Sequence, residues 1–191
     1  IHTGTRACPF SFTMTVHRPN TEQPCPALVD GDQCYPIMND LAVTNLFTQQ
    51  GILVAKFNRC EIVPDMRGIA RNSPIYRAYP EYTFRAIGAW AWGYSRCVDA
   101  LLQLGLVDEK CIAFTGLSRG GKTALVAGAL DERATIVNPE APCAGGSCYR
   151  IAMRAITEDG NEARSEELDD IVRAFPDWMG RDVPAYAGGA A

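Results

Sequence analysis

At 191 residues with a net charge of −4 and no Lys/Arg cluster, the chain suits one domain with a sizeable core. That charge excludes nucleic acid and an anionic membrane as main partners. Hydrophobic residues at 47% and charged ones at 21% are ordinary for a soluble globular protein, and no apolar run approaches a membrane span.

Phe10 to Val16 alternates apolar and polar β-formers, which predicts a strand. A turn-rich connector follows from His17 to Pro24, then a short strand, Ala27 to Val29. Asp30 to Tyr35 reads as a polar loop, which in an α/β enzyme borders the active site. Leu41 to Gln50 reads as a helix capped by Gly51, and Ile52 to Phe57 as a buried strand. From Asn58 to Tyr82 the chain is rich in Pro, Arg, Asn and Tyr without periodicity, so a long surface loop is expected; loops of this length usually serve function.

Thr83 to Leu104 places Ile87, Trp90, Tyr94, Val98 and Leu101 at helical spacing, and Gly105 stops it. Cys111 to Thr115 predicts a short buried strand, Lys122 to Leu130 a helix, and Ala134 to Val137 a strand that ends at Asn138-Pro139-Glu140. The acidic stretch Thr157 to Asp170 reads as a solvated helix or loop, and Tyr186 to Ala191 as a cut end or flexible tail. Alternating strands and helices argue an α/β fold, a mainly parallel sheet with helices on both faces.

Between the Cys111–Thr115 strand and the Lys122–Leu130 helix lies the motif that carries chemistry. Gly116-Leu117-Ser118-Arg119-Gly120 fits G-x-S-x-G, the nucleophile elbow, in which a serine sits on a strained strand-to-helix turn. The next amide, at Arg119, then stabilises an oxyanion. The same residues with Gly121, Lys122 and Thr123 fit G-x-x-x-x-G-K-[ST], a P-loop that cradles phosphates for an NTPase. The motif alone satisfies both. Its position arbitrates: a P-loop usually follows the first strand of its domain, whereas three expected strands precede this one. No downstream apolar run ends in Asp. An elbow sits naturally mid-chain, so ester hydrolysis is favoured.

The surroundings add a resemblance. Ala89-Trp-Ala-Trp-Gly-Tyr-Ser-Arg96 is similar to the A-W-A-W-G-x-S-R run of glucuronoyl esterases, carbohydrate esterase family fifteen. So are Gly116 to Lys122 with Ala127-Gly-Ala129 and Arg133, the stretch Pro139 to Arg150, and Phe175-Pro-Asp-Trp-Met179. The resemblance implies an α/β-hydrolase fold and a serine esterase that cleaves glucuronate esters linking xylan to lignin, with no metal or cofactor. A general acyl esterase of the same fold and an inactive fragment are the alternatives. It implies Ser118 as nucleophile, the Arg119 amide and guanidinium at the oxyanion, and Lys122 at hydroxyls of the sugar ring. Trp178 falls at the substrate rim. The acid is Glu140 or comes from a later strand, because the family's slot, counted from Ser118, falls one residue past Glu140.

The chain departs from the family pattern in two ways. Leu117 stands where the family's elbow often carries a cysteine, so the disulfide from that position to the catalytic histidine's neighbour cannot form. The histidine is expected after the acid, yet His2 and His17, the histidines of this sequence, both lie upstream. Residues 1–191 therefore read as a single α/β-hydrolase domain incomplete at its C-terminus, from a secreted or periplasmic protein. The chain starts at Ile1 without a leader segment and is expected to be a mature or internal piece. Eight cysteines without C-x-x-C pairing argue against structural zinc and leave disulfides and reduced core cysteines both open. Cys143 and Cys148 flank a Gly-Gly turn that each is expected to staple. The oligomeric state is left open.

Overall fold

The computed structural model describes residues 1–142, 154–156, 160, 162–164 and 166–180. The chain opens with a hairpin, β1 (His2–Gly4) antiparallel to β2 (Pro9–Ser11), and enters the main sheet at β3 (Met14–His17). The strand expected from Phe10 to Val16 is thus two strands in two sheets. Phe12 is the break: its side chain turns into the core, and the next amide, at Thr13, donates to Glu61 Oε2 (2.8 Å).

β4 (Cys25–Asp30), α1 (Leu41–Gln49) and β5 (Leu53–Phe57) follow. Then come α2 (Pro74–Ala78), α3 (Ala86–Gln103), β6 (Val107–Leu117), α4 (Arg119–Leu130) and β7 (Ile136–Glu140). A small pair, β8 (Arg154–Ile156) with β9 (Glu162–Arg164), and α5 (Leu168–Ala174) complete the elements. The main sheet runs β3-β5-β4-β6-β7, with β3 antiparallel to β5 and the other pairs parallel. Among the described residues no helix is long and apolar enough to cross a membrane.

Strand alternation sorts the sheet's two faces. Ala27, Val29, Leu53, Ala55, Phe57, Ile112 and Phe114 pack against the apolar stripe of α3, where Trp90, Tyr94, Cys97, Val98 and Leu101 are fully buried. The opposite residues, Leu28, Val54, Ala113 and Ile136, line a groove of about 410 Å³ beneath α1. Helices therefore stand on both faces, as the alternating pattern predicts. Gly51 and Gly105 end α1 and α3 as foreseen. Each sits at positive φ (80° and 65°); the Gly51 and Gly105 amides donate to Thr48 and Leu102, and the next amides, of Ile52 and Leu106, turn back onto the carbonyls of Phe47 and Leu101.

The stretch from Asn58 to Tyr82 is not a surface loop. It holds α2 and 3₁₀ turns at Arg59–Glu61 and Ala70–Asn72, and it buries Arg59, Ile62, Val63, Ala70 and Ile75. These pack on α3, where the Trp90 indole donates to the Val63 carbonyl (2.8 Å). Single apolar residues at irregular spacing leave no periodic signal. At the end of the acidic stretch, α5 begins at Leu168, which is buried together with Ile171.

Two carboxylates at the carboxyl end of β4 set the shape of the next loop. Asp32 is fully buried and pairs with the guanidinium of Arg59, itself fully buried. Its Oδ2 accepts the Leu117 amide at 2.6 Å. Asp30 Oδ1 accepts the Asp32 amide (2.8 Å). From α3, the Tyr94 hydroxyl donates to the Thr115 carbonyl (2.7 Å) and accepts the Gly31 amide (3.0 Å). The loop after β4 is thereby fastened to the end of β6.

Breaking a buried ion pair leaves an uncompensated charge, so Asp32→Asn is expected to lower unfolding free energy by about 3–5 kcal/mol. In urea denaturation, the Asp32→Asn/Arg59→Met double variant should lose less than the sum of the two single losses. Burial raises the Asp30 pKa from 3.8 to about 7, with Lys56 opposing and Glu140 adding to the rise. The folded protein then holds a proton that the unfolded chain has released, so stability falls as pH rises through that window and levels off above it. Asp30→Asn keeps the acceptor oxygen and loses the charge. Its melting temperature should pull ahead of the parent's as pH rises from about 4 to about 8; a constant difference would refute the assignment.

Candidate active site

β6 ends at Leu117, α4 begins at Arg119, and Ser118 makes the turn between them. Its backbone (φ 58°, ψ −114°) lies in a region that side-chain-bearing residues rarely adopt, and its side chain is exposed. The strain is held by partners on both sides. The Ser118 amide donates to the Glu140 carbonyl on β7 (2.8 Å), the Leu117 amide to Asp32, and the Lys122 amide to the Ser118 carbonyl (3.0 Å). Small residues are obligatory here. A Cβ on Gly116 would lie 2.6 Å from the Gly120 backbone, and one on Gly120 would overlap the Asp32 carboxylate. The same geometry overturns the P-loop alternative: the amides of Leu117 and Ser118 are taken, and a buried carboxylate fills the turn where a phosphate would sit.

Arg119 points its guanidinium into a cavity of about 130 Å³ bordered by Asp65, Met66, Phe175 and Trp178. Nη1 donates to Asp65 Oδ2 (2.7 Å), and the planar group lies over the Trp178 ring (4.8 Å) and the Phe175 ring (5.4 Å). The Trp178 indole donates to the other Asp65 oxygen (3.0 Å), so one carboxylate fixes cation and ring together. Arg119 Nε is buried without a hydrogen-bond partner among the described residues. Trp178, expected at a substrate rim, is buried: it stacks on Phe175 at 3.8 Å and meets Trp90 edge-on. Its visible task is to hold Arg119.

Lys122 follows on α4 and is buried, donating to the Pro142 carbonyl (2.6 Å) and to Glu166 Oε2 (2.9 Å). Glu140 ends β7 opposite Leu117. Its carbonyl braces Ser118, while its exposed side chain lines the groove beneath α1 with Asp30, Lys56 and Asn138. His17 pairs with Val54 in edge strand β3, separated from β6 by two strands and toward the opposite end of the sheet from Ser118. His2 lies in the separate hairpin. Cys143 and Cys148 fall outside the described residues, as does the Tyr186–Ala191 tail.

The structure therefore brings Ser118, Arg119 and the Glu140 backbone together, and adds residues that sequence reasoning did not single out: Asp32, Arg59, Asp65 and Phe175. Two signals pointed near them, the polar Asp30–Tyr35 loop and the Phe175–Met179 run. Neither says which side chain turns inward.

A model of the fungal glucuronyl esterase family matches residues 1–189. A 4-O-methyl-glucuronoyl methylesterase from Hypocrea jecorina is 31% identical over 173 residues, 88% of this chain and 36% of its own length. A carbohydrate esterase family 15 glucuronoyl esterase from Caldicellulosiruptor kristjansonii superposes with a TM-score of 0.79 at 26% identity, over 97% of this chain and 53% of its own. A serine-to-alanine variant of the Sporotrichum thermophile glucuronoyl esterase, solved with methyl 4-O-methyl-β-D-glucopyranuronate, matches with a TM-score of 0.60 at 27% identity. It covers 76% of this chain and 38% of its own. The chain thus spans about a third of the length of that curated relative and about half of the Caldicellulosiruptor structure. With the elbow on the end of its parallel sheet and the family pattern running through residues 1–189, the chain belongs to the glucuronyl esterase family and has its α/β-hydrolase fold.

Proposed function

We propose that the protein hydrolyses carboxylic esters of glucuronic acid, with Ser118 as nucleophile. The observation that carries this reading is the exposed, strained Ser118 standing beside a buried arginine N–H without a partner among the described residues. Ser118 Oγ attacks the acyl carbon, and the carbonyl oxygen gains negative charge as that carbon becomes tetrahedral. The Arg119 amide at the start of α4 and the guanidinium Nε–H donate to that oxygen, in a site whose aromatic walls keep water from screening the charge. The alcohol leaves, and water then hydrolyses the acyl-enzyme.

The proton of Ser118 needs a base. Neither histidine of the sequence reaches it, so that base comes from outside these 191 residues. Glu140 is the acid that would orient it, supported by its place at the end of β7 beside the elbow. Lys122 reads hydroxyls of the sugar ring, supported by its place one helical turn beyond Ser118. Esters of this kind join plant cell-wall polymers, so the protein acts outside the cell.

A fluorophosphonate probe, read by intact mass, should label Ser118, and the label should vanish in Ser118→Ala. Absence of labelling in a protein carrying all its segments would sink the reading. Ester turnover in Ser118→Ala should fall on the order of 10⁶-fold. Arg119→Met, which keeps the amide, should cost about 10²–10³-fold in kcat. Lys122→Ala should lower kcat/KM for a glucuronate ester more than for an acetate ester of the same alcohol; an equal loss on both would remove Lys122 from sugar recognition.

A further inference from the structure

Arg59 has a second set of neighbours that ester hydrolysis does not use. Cys34, in the loop after β4, and Cys60, in the turn after β5, are both free and half-buried. Their segments are held face to face by an antiparallel bridge between Asp32 and Asn58. The Gln33 amide donates to the Phe57 carbonyl and the Arg59 amide to the Gly31 carbonyl, each at 3.2 Å. Arg59 Nη1 donates to Cys34 Sγ at 3.1 Å, and Cys60 is the next residue along the chain. Its amide is pinned by the Asn58 side chain (2.9 Å), which fixes the direction in which its thiol leaves the turn. The two thiols meet in a hydrogen bond from Cys34 to Cys60. Of the described cysteines, Cys25 and Cys97 are instead buried in the core.

We propose that Cys34 and Cys60 form a disulfide, a covalent clamp between the two segments that carry Asp32 and Arg59 beneath the elbow. The hydrogen bond from Cys34 lowers the Cys60 pKa to about 6, with Arg59 adding to the effect against burial, while the Cys34 thiol is raised. The pair therefore offers one thiolate near neutral pH, and the route in which Cys60 attacks gives the same products as the one in which Cys34 does. A small-molecule disulfide, RS–SR, is the oxidant. Cys60 Sγ attacks one of its sulfurs, forming a mixed disulfide and expelling RS⁻, which takes up a proton. Cys34 gives its proton to solvent and attacks Cys60 Sγ, expelling the second RS⁻. Two cysteine thiols are oxidised and one RS–SR is reduced to two RSH. Closing the loop between residues 34 and 60 restricts the unfolded chain, so the oxidised protein melts higher.

The test exposes the folded, reduced protein to oxidised glutathione, then alkylates remaining thiols under denaturing conditions. Cleavage after Lys and Arg and before Asp isolates Cys34 in residues 32–39 and Cys60 in residues 60–64. The expected result is a linked 32–39/60–64 pair and a melting temperature above that of the reduced protein. Cys34→Ser and Cys60→Ser should each lose both the link and the oxidant's effect on melting. Recovery of Cys34 and Cys60 both alkylated, or of either joined to a different cysteine, would overturn the proposal. A linked protein that melts no higher than the reduced one would overturn the clamp. None of these readouts depends on ester hydrolysis.

Discussion

The buried carboxylate of Asp32 is the constraint on which the rest of the site depends. An unpaired charge with no access to water is costly enough that every group able to satisfy it is drawn in. Here those groups come from two separate segments: the Arg59 turn and the Leu117 amide at the end of β6. The carboxylate also sets the glycine pattern of the elbow, because a side chain at Gly120 would occupy its place. Ser118 can hold its strained backbone because the amides of Leu117 and Ser118 are already tied to fixed acceptors.

Above that layer the charges alternate. Arg59 and Arg119 stand against Asp32 and Asp65, with Asp65 bonded to Arg119 and 3.8 Å from Arg59. The flat faces of the two guanidinium groups are covered by rings: Tyr35 and Trp90 on Arg59, Phe175 and Trp178 on Arg119. A planar cation is well suited to this, since its edge bonds carboxylates while its faces stack. The arrangement leaves the Nε–H groups of both Arg59 and Arg119 without a partner among the described residues, and that of Arg119 belongs to the residue next to Ser118. The aromatic residues around the site thus position a cation, a different use from stacking on a sugar.

Much of the fold was legible because its signals are local. The stripe of Ile87, Trp90, Tyr94, Val98 and Leu101 needs no tertiary information to read as a helix, and Gly51 and Gly105 mark helix ends through backbone geometry alone. The elbow was legible for the same reason: a sharp strand-to-helix turn needs small residues at fixed offsets from the serine. What failed was non-local. The split of Phe10–Val16 into two sheets depends on where Phe12 finds its pocket and on Glu61 receiving the Thr13 amide. The buried turns between Asn58 and Tyr82 exist because Trp90 and its neighbours on α3 supply a surface for Ile62, Val63 and Ile75. Trp178 illustrates both sides, since its sequence run marked it as notable but only its partners show that it is buried against Arg119.

The sequence by itself determined the α/β class, the elbow at Gly116–Gly120 and the identity of Ser118, because each follows from spacing along one stretch of chain. Tertiary structure added the physical reason for reading the turn as an elbow and not a P-loop, which the motif's position already favoured, by placing a carboxylate inside the Gly-rich turn. It alone joined Asp32 to Leu117, Asp65 to Arg119 and Cys34 to Cys60. Those contacts span 85, 54 and 26 positions of sequence, and their partners meet only because parallel strands β4, β5 and β6 end at the same edge of the sheet.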